Sequence, residues 1–101
     1  MPYTYMVRCR DNSLYTGWAA DVEQRVKTHN SGKGAKYTRS RLPVVLVWSC
    51  YAEDKIMAQK LECAVKKLSK KQKELLVQDR QLTERLCAEV WEVQHDRKQN
   101  L

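Results

Sequence analysis

One helix of the sequence carries two side chains that could do chemistry on the face expected to pack inward. In residues 21–30, Val22 and Val26 mark the apolar face of a predicted helix. On a helical wheel of about 100° per residue, His29 lies within about 20° of Val22 and Arg25 within about 60°. Arginine can bind an anion, and histidine can take up or release a proton near neutral pH. Because buried cations are costly unless they are paired or used, we expect this helix to face a functional site.

Hydrophobic periodicity predicts the elements that would position this helix. Three segments have the alternation or the β-branched run typical of strands, and these are residues 3–9, 14–18 and 44–51. The third is apolar almost throughout, which predicts a strand in the centre of a sheet. Helical spacing predicts further helices over residues 54–68, 69–76 and 83–96. Asp21 and Ser69, each followed three residues later by a glutamine, are the predicted N-caps of the first helix and of the helix over 69–76. The expected fold class is α+β, with an antiparallel hairpin and the order β-β-α-β-α-α.

The positive charge of the chain is concentrated in its first three-quarters. The net charge is +7, and residues 24–41 contain six basic residues and no acidic one. Residues 55–73 add seven lysines against a single acidic residue. Such a concentration favours a polyanionic partner, most often nucleic acid. The alternative is a solvated basic surface that binds nothing in particular.

The cysteines and the hydropathy pattern limit the classes of protein to which this chain can belong. The four cysteines contain no C-x-x-C pair, so a zinc site is not expected; they are Cys9, Cys50, Cys63 and Cys87. We expect buried, reduced thiols and a cytoplasmic location, with disulfides as the alternative. No apolar run approaches the ~20 residues of a membrane span. The first residues also lack the charged start and apolar core of a signal peptide.

One spaced pattern gives these features a family context. It resembles the GIY-YIG nuclease domain and consists of Tyr5, Tyr15-Thr16-Gly17, Arg25-x-x-x-His29 and Glu62. More narrowly, YTGWAADVEQRVKTHNSGKGAKYTRSR and LECAVKKLSKKQKELL are similar to small stand-alone bacterial GIY-YIG proteins of uncharacterised role. The resemblance covers about residues 3–77. It implies a three-stranded antiparallel sheet flanked by helices, with the active site on a concave face of the sheet.

The resemblance also implies a reaction and a role for each residue. The reaction is hydrolysis of a DNA phosphodiester with one divalent metal, Mg²⁺ or Mn²⁺. Glu62 would bind the metal, and Arg25 would stabilise charge on the scissile phosphate. Tyr5 and Tyr15 would contact the phosphate and the attacking water, one of them serving as or assisting the general base. His29 would orient a tyrosine or relay its proton.

Each of these residues also has a purely structural interpretation. Tyrosines in strands are commonly core or cross-strand partners. Arg25 and His29 could be an exposed pair one turn apart, if the helix is rotated. Glu62 and Lys66 have the i,i+4 spacing of a helical ion pair.

The hairpin connection decides whether the two tyrosines can act together. Tyr5 and Tyr15 share a face of the sheet only if the numbers of paired residues sum to an even value. A plain two-residue turn would place them on opposite faces. We therefore predict a connection of odd length, such as residues 11–13 with Arg10 opposite Leu14, or a bulge with the same effect.

The remaining expectations concern partners and domain limits. The segment GKGAKYTRSRLP is predicted to be a mobile basic loop that faces branched or nonspecific duplex DNA. The predicted DNA contacts are Lys33, Lys36, Arg39 and Arg41, together with Lys66. We expect a GIY-YIG domain over residues 1–80, a helical extension over 81–101, and a setting in DNA repair or recombination. The alternatives are a catalytically silent nucleic-acid-binding module and a small interaction protein that uses residues 83–96 for a homodimer or a protein partner.

Overall fold

A three-stranded antiparallel sheet forms the centre of the structure, a computed structural model that describes the backbone of residues 2–99 and the side chains of residues 2–92. The strand order is β2-β1-β3, and helices cover both faces of the sheet. The elements are β1 (Tyr3–Arg8), β2 (Leu14–Ala19), α1 (Val22–Asn30), α2 (Lys36–Arg39), β3 (Val45–Tyr51), α3 (Lys55–Lys66), α4 (Lys70–Gln78) and α5 (Arg80–Gln99). The predicted α+β class with three antiparallel strands is confirmed.

The strand predicted to be central is instead at an edge of the sheet. The middle place belongs to β1, which pairs with β2 on one side and with β3 on the other. In β3, Trp48 and Cys50 are buried, but Val45 is 61% exposed and Tyr51 is 50% exposed. An apolar run resembles a strand covered on both faces, yet here only part of the run packs into the core.

The hairpin between β1 and β2 has a connection of odd length, as predicted. Arg8 pairs with Leu14, and the Cys9 amide donates to the Ser13 carbonyl at 2.8 Å, which leaves residues 10–12 as the connection. The connection therefore lies one residue earlier than the predicted residues 11–13. Asn12 has a φ of 71°, a left-handed conformation that asparagine tolerates well.

The two faces of the sheet carry separate cores. On one face Tyr5 and Val7 pack with side chains of α1, including Val22 and Val26. On the other face Met6 packs in a cluster that is completed by α3, α4 and α5, with Trp48, Cys50, Leu61, Val65 and Leu76 as its buried members. The Thr4 hydroxyl donates to the Ala58 carbonyl at 2.8 Å and so holds α3 on this second face.

Side-chain caps fix where the helices begin. Asp21 accepts from the Gln24 amide at the start of α1, and Asp54 accepts from the Met57 amide at the start of α3. The predicted cap of α4 is confirmed, because Ser69 and Gln72 form a reciprocal capping box. Within the segment predicted to be a basic loop, the chain forms the short helix α2.

Helix α5 begins at Arg80, three residues before the predicted start. Its first turns pack on the second core through Leu82, Leu86 and Val90. The Trp48 indole donates to the buried Thr83 hydroxyl at 2.7 Å, which ties this helix to β3. The side chains from residue 93 onward, within the predicted partner-binding segment 83–96, lie outside the described residues.

The cysteines are free thiols, but they are not uniformly buried as expected. Cys9 and Cys50 are buried, Cys87 is half-buried, and Cys63 is exposed. Cys63 follows Glu62 on α3, on a side of the helix that does not face the sheet. No helix among the described residues is long and apolar enough to cross a membrane.

Candidate active site

The phenol of Tyr5 lies at the centre of the first face of the sheet, where β1 and β2 position it against His29. Tyr5 is 1% exposed, and its hydroxyl oxygen is 2.8 Å from His29 Nε2. Gly17, its partner on β2, has no side chain, so the Tyr5 ring can lie directly across that strand. A Cβ atom on Gly17 would be 2.7 Å from the Tyr5 hydroxyl oxygen.

His29 projects from the last turn of α1 into this core and is 1% exposed. Its Nδ1 atom is 2.9 Å from the Thr38 hydroxyl oxygen and 3.4 Å from the Ala35 amide nitrogen. Gly34 lies so close to the imidazole that a Cβ atom there would collide with Nδ1. The segment after α1 therefore wraps around one nitrogen of His29, and Tyr5 contacts the other.

Tyr15 lies beside His29 and begins a row of stacked planar groups. The His29 ring meets the Tyr15 ring edge-on, with centroids 5.4 Å apart. Tyr15 stacks on Tyr37 with centroids 6.0 Å apart, and the Arg41 guanidinium lies 3.9 Å from the Tyr37 ring centroid. Asp11 accepts from Arg41 Nε at 3.0 Å and so fixes the outer end of the row.

An open cleft of about 630 Å³ adjoins this row, between α1 and the segment that follows it. Tyr15, Arg25, His29 and Lys33 contribute to its walls. Arg25 was expected on the buried face of α1, but its side chain is exposed, because the cleft opens to solvent at that point. His29 is the side chain of this pair that is enclosed, so the alternative of two exposed residues is wrong for His29.

Glu62 approaches the site from α3, which packs on the other face of the sheet. Its side chain is 19% exposed and forms an ion pair with Lys66 at 3.3 Å, so the predicted i,i+4 pair is present. Its negative charge nevertheless acts on the Tyr5 phenol and helps to raise its pKa. The carboxylate thus belongs to the electrostatic surroundings of the tyrosine.

Comparison with known proteins now gives the family. Residues 1–75 match the family model described as the GIY-YIG catalytic domain. The chain belongs to the GIY-YIG family. It is 48% identical to the UPF0213 protein CPE1444 of Clostridium perfringens, over 83% of this chain and 90% of that protein. It is 49% identical to the UPF0213 protein SH2523 of Staphylococcus haemolyticus, over 77% and 95% of the two chains.

Solved structures of similar proteins agree with the fold. The NMR structure of the UPF0213 protein BH0048 from Bacillus halodurans has a TM-score of 0.50 and 48% identity, over 77% of this chain and 84% of that one. The NMR structure of the protein EF2693 from E. faecalis has a TM-score of 0.54 and 41% identity, over 79% of this chain and 85% of that one. The GIY-YIG domain indicates nuclease activity in general terms.

Burial and neighbouring charges hold both buried groups of this GIY-YIG site in their neutral forms. Burial raises the pKa of Tyr5 to about 12, and the Tyr15 phenol adds to the effect, whereas Arg25 opposes it. Tyr5 is therefore a neutral phenol at pH 7. Burial, together with the nearby Arg25 charge, lowers the pKa of His29 below its usual range. The imidazole is therefore neutral as well.

The donor set at Glu62 suits a magnesium-like ion. GIY-YIG nucleases generally use divalent metals. Among the described residues, no three His, Cys, Asp or Glu side chains gather into a cluster that could hold a metal. Mg²⁺ commonly takes only one or two protein carboxylates and keeps several waters, so a single glutamate fits such an ion. Any metal at Glu62 has to compete with the Lys66 ammonium.

The predicted DNA-contact residues fall into two groups. Lys33 contributes to the cleft, and the side chains of Lys36 and Arg39 are exposed on α2, where Arg39 Nε also donates to the Gly34 carbonyl at 3.3 Å. Arg41 and Lys66 are already engaged with protein partners: Arg41 donates to the Tyr37 carbonyl at 2.7 Å and to Asp11, whereas Lys66 pairs with Glu62. Lys33 and Lys36 are thus better placed than Arg41 and Lys66 to contact a phosphate backbone.

The motif residue Gly17 and three residues that the sequence analysis did not single out help to build the site. Gly17 and Gly34 make room for Tyr5 and His29, Thr38 contacts the imidazole, and Tyr37 extends the stack. A glycine inside a strand commonly marks the close approach of another group, so Gly17 had a usable signal. Thr38 had none, because its contact with His29 depends on how the segment after α1 folds back.

Proposed function

We propose that this GIY-YIG protein is a metal-dependent endonuclease that hydrolyses phosphodiester bonds of DNA. The observation that carries the proposal is the contact of the neutral Tyr5 phenol with His29 beside a cleft that also contains Arg25 and Tyr15. Phosphodiester hydrolysis requires neutralisation of negative charge that develops on the phosphate oxygens. An arginine in an open cleft can neutralise part of that negative charge when a polyanion binds.

The position of each side chain suggests a role in this reaction. Arg25 would bind the scissile phosphate, since its guanidinium is exposed in the cleft and can form paired hydrogen bonds with phosphate oxygens. Tyr15 would contact the phosphate or the attacking water, because it contributes to the cleft wall. Tyr5, with a pKa of about 12, suits hydrogen bonding better than proton abstraction. The role of general base then falls to Tyr15 more readily than to Tyr5.

Glu62 would hold the metal, and Mg²⁺ or Mn²⁺ is the class of ion that suits a single carboxylate. A bound divalent ion supplies Lewis-acid stabilisation of the phosphate. The DNA backbone would be guided by Lys33, Lys36 and Arg39. Arg41 and Lys66, which already have protein partners, would contribute less. A preference for branched DNA and a setting in repair or recombination are part of the proposal.

A second candidate is a nucleic-acid-binding module without cleavage activity. The ion pair between Glu62 and Lys66 favours it, because the lysine occupies the carboxylate that a metal would need. The basic side chains on α2 would serve either function equally well.

The test is a nicking assay on supercoiled plasmid and on branched DNA, with Mg²⁺ or Mn²⁺, for the full chain and its variants. We expect cleavage by the wild type and a loss of at least about 100-fold in Arg25→Ala and Glu62→Ala, with DNA binding at low salt retained. Matched controls of the same charge change are Lys27→Ala, exposed on the same helix, and Glu53→Ala, exposed before α3. DNA retention without cleavage by any form would favour the binding module. Failure to bind even at low salt would reject both candidates.

A further inference from the structure

We propose that the turn between α1 and α2 fixes His29 as the tautomer protonated at Nε2, so that the imidazole donates a hydrogen bond to the Tyr5 oxygen. Thr38 and the Ala35 amide are then positioning groups for the site. The catalytic consequence rests on the proposed function. The tautomer itself follows from the hydrogen-bond geometry.

The polarity of the contacts at Nδ1 decides the tautomer. The Ala35 backbone N–H can only donate, and it points at Nδ1 from 3.4 Å. The Thr38 hydroxyl, at 2.9 Å, can either donate or accept. With Nδ1 unprotonated, both groups can donate to its lone pair. With Nδ1 protonated, two N–H hydrogens would face each other, and the Ala35 amide would lose its acceptor.

The Thr38 hydroxyl proton can turn to Nδ1. Its oxygen also lies 2.9 Å from the Ala35 carbonyl oxygen. That carbonyl, however, already accepts from the Thr38 amide at 3.1 Å and from the Arg39 amide at 3.2 Å. The hydroxyl donates to this carbonyl in the structure, but the carbonyl keeps its two amide partners if the hydroxyl proton turns to Nδ1 instead, at the cost of leaving two acceptor oxygens 2.9 Å apart.

The enclosure of the site makes the choice of tautomer matter. His29 and Thr38 are 1% and 0% exposed, so a ring N–H or hydroxyl that lost its partner here would have little access to water, whereas the Ala35 amide is half-buried. An unsatisfied buried N–H is rare in folded proteins because its desolvation is not repaid. Gly34 lets the backbone approach the ring closely, which keeps the Ala35 amide in place.

The consequence appears at the opposite nitrogen. A protonated Nε2, 2.8 Å from the Tyr5 oxygen, donates to it. The Tyr5 O–H then turns away from His29, and because the neighbouring Arg25 can only donate, this buried hydroxyl depends on an acceptor that the substrate brings, such as a phosphate oxygen. The opposite tautomer would place the same cost on the Ala35 amide instead. Of the two roles that the family resemblance implied for His29, this geometry points to orienting the tyrosine rather than relaying its proton.

The direct test is a two-dimensional proton–nitrogen NMR spectrum of the imidazole groups in the ¹⁵N-labelled full chain at pH 7. His95→Gln removes the signals of the other histidine. We expect His29 to show a protonated Nε2 and an unprotonated Nδ1 as a single static species. A protonated Nδ1, or an average of the two tautomers as in an unfolded chain, would overturn the proposal. This measurement needs no cleavage activity, so it stands even if the nuclease proposal fails.

Paired variants test the contribution of Thr38. Thr38→Val removes the hydroxyl but keeps the shape, and Thr38→Ser keeps the hydroxyl. We expect the valine variant to show a mixture of tautomers and a fall of about tenfold in kcat of cleavage, with KM for DNA within twofold of wild type. The serine variant should restore both readings. A valine variant with the pure Nε2-protonated form and wild-type kcat would show that Thr38 has no positioning role.

Discussion

Gly17 lies directly beneath the phenol of Tyr5, and a Cβ atom at this glycine would be 2.7 Å from the Tyr5 hydroxyl oxygen. The two residues are cross-strand partners in the register of β1 and β2. The absence of a side chain at one position is therefore what lets the other reach His29. This relationship joins a motif glycine to the hydrogen bond at the centre of the candidate site.

Gly17→Ala should displace the Tyr5 ring, because the methyl group meets the ring carbons and oxygen at less than van der Waals distance. We expect a loss of about 1–3 kcal/mol in the free energy of unfolding, typical of overpacking in a filled core. Chemical denaturation measures it. Ala20→Ser, at an exposed position just after β2, is the control. If the alanine variant is as stable as wild type, the ring has room that the structure does not show.

The sequence predicts this part of the fold well where local rules operate. The alternation of the first strands, the cap at Asp21 and the capping box at Ser69 are all local signals, and each is found in the structure. The even register of the hairpin follows from turn length alone. The face shared by Tyr5 and Tyr15 was required by the family resemblance rather than by a local signal, and the odd connection that it demands is found.

Features that depend on packing between distant segments could not be predicted from the sequence. The apolar run of β3 does not reveal that β1 holds the centre of the sheet, because both strands have mostly apolar side chains. The exposure of Arg25 depends on where the cleft opens, and the contact of Thr38 with His29 depends on the path of the chain after α1. These are properties of the assembled domain, not of any single segment.

The raised pKa of Tyr5 predicts a loss of stability in alkali. Its pKa is about 12 in the folded protein against 10.0 ordinarily, so the folded state keeps a proton that the unfolded state releases. The stability that the folded state gains from the protonated Tyr5 is present below pH 10 and is lost as the pH rises through 12. We expect it to amount to about 2–3 kcal/mol of unfolding free energy. Tyr5→Phe should lack this part of the pH dependence, as measured by urea unfolding at several pH values.

The control for that experiment is Tyr51→Phe, which removes an exposed hydroxyl. It should keep the alkaline slope of the wild type. An equal slope in the wild type and in Tyr5→Phe would contradict the burial of a neutral phenol at position 5.

Glu74 should stabilise the fold in the opposite pH range. It accepts from both terminal nitrogens of Arg8, at 2.6 and 2.8 Å, and this pairing lowers its pKa from 4.5 to about 2. The contribution is therefore present above pH 4.5 and is lost as the pH falls through 2. Because the Glu74 side chain is 26% exposed, solvent screening reduces the expected value to about 1–2 kcal/mol.

Glu74→Gln tests this ion pair, which joins α4 to β1. Its unfolding free energy should be lower than that of wild type at pH 7, and the difference should shrink as the pH approaches 2. Glu89→Gln, at an exposed position on α5, provides a control of the same charge change. A constant difference between Glu74→Gln and wild type from pH 7 to pH 2 would show that charge is not the cause.

Thr83→Val should weaken the attachment of α5 to the sheet. The Thr83 hydroxyl is buried and accepts from the Trp48 indole at 2.7 Å, and its oxygen lies 3.4 Å from the Leu76 carbonyl oxygen. Valine would leave the indole N–H without its partner in a buried site, at a cost of about 1–3 kcal/mol. Thr83→Ser keeps the hydroxyl and should lose less, since only a methyl group is removed. Denaturant unfolding of the two variants separates the hydrogen bond, lost only in Thr83→Val, from the methyl packing, lost only in Thr83→Ser. Wild-type stability in Thr83→Val would contradict a stabilising hydrogen bond. Because α5 contributes Leu82, Leu86 and Val90 to the second core, the same measurement shows how strongly the sheet depends on this helix.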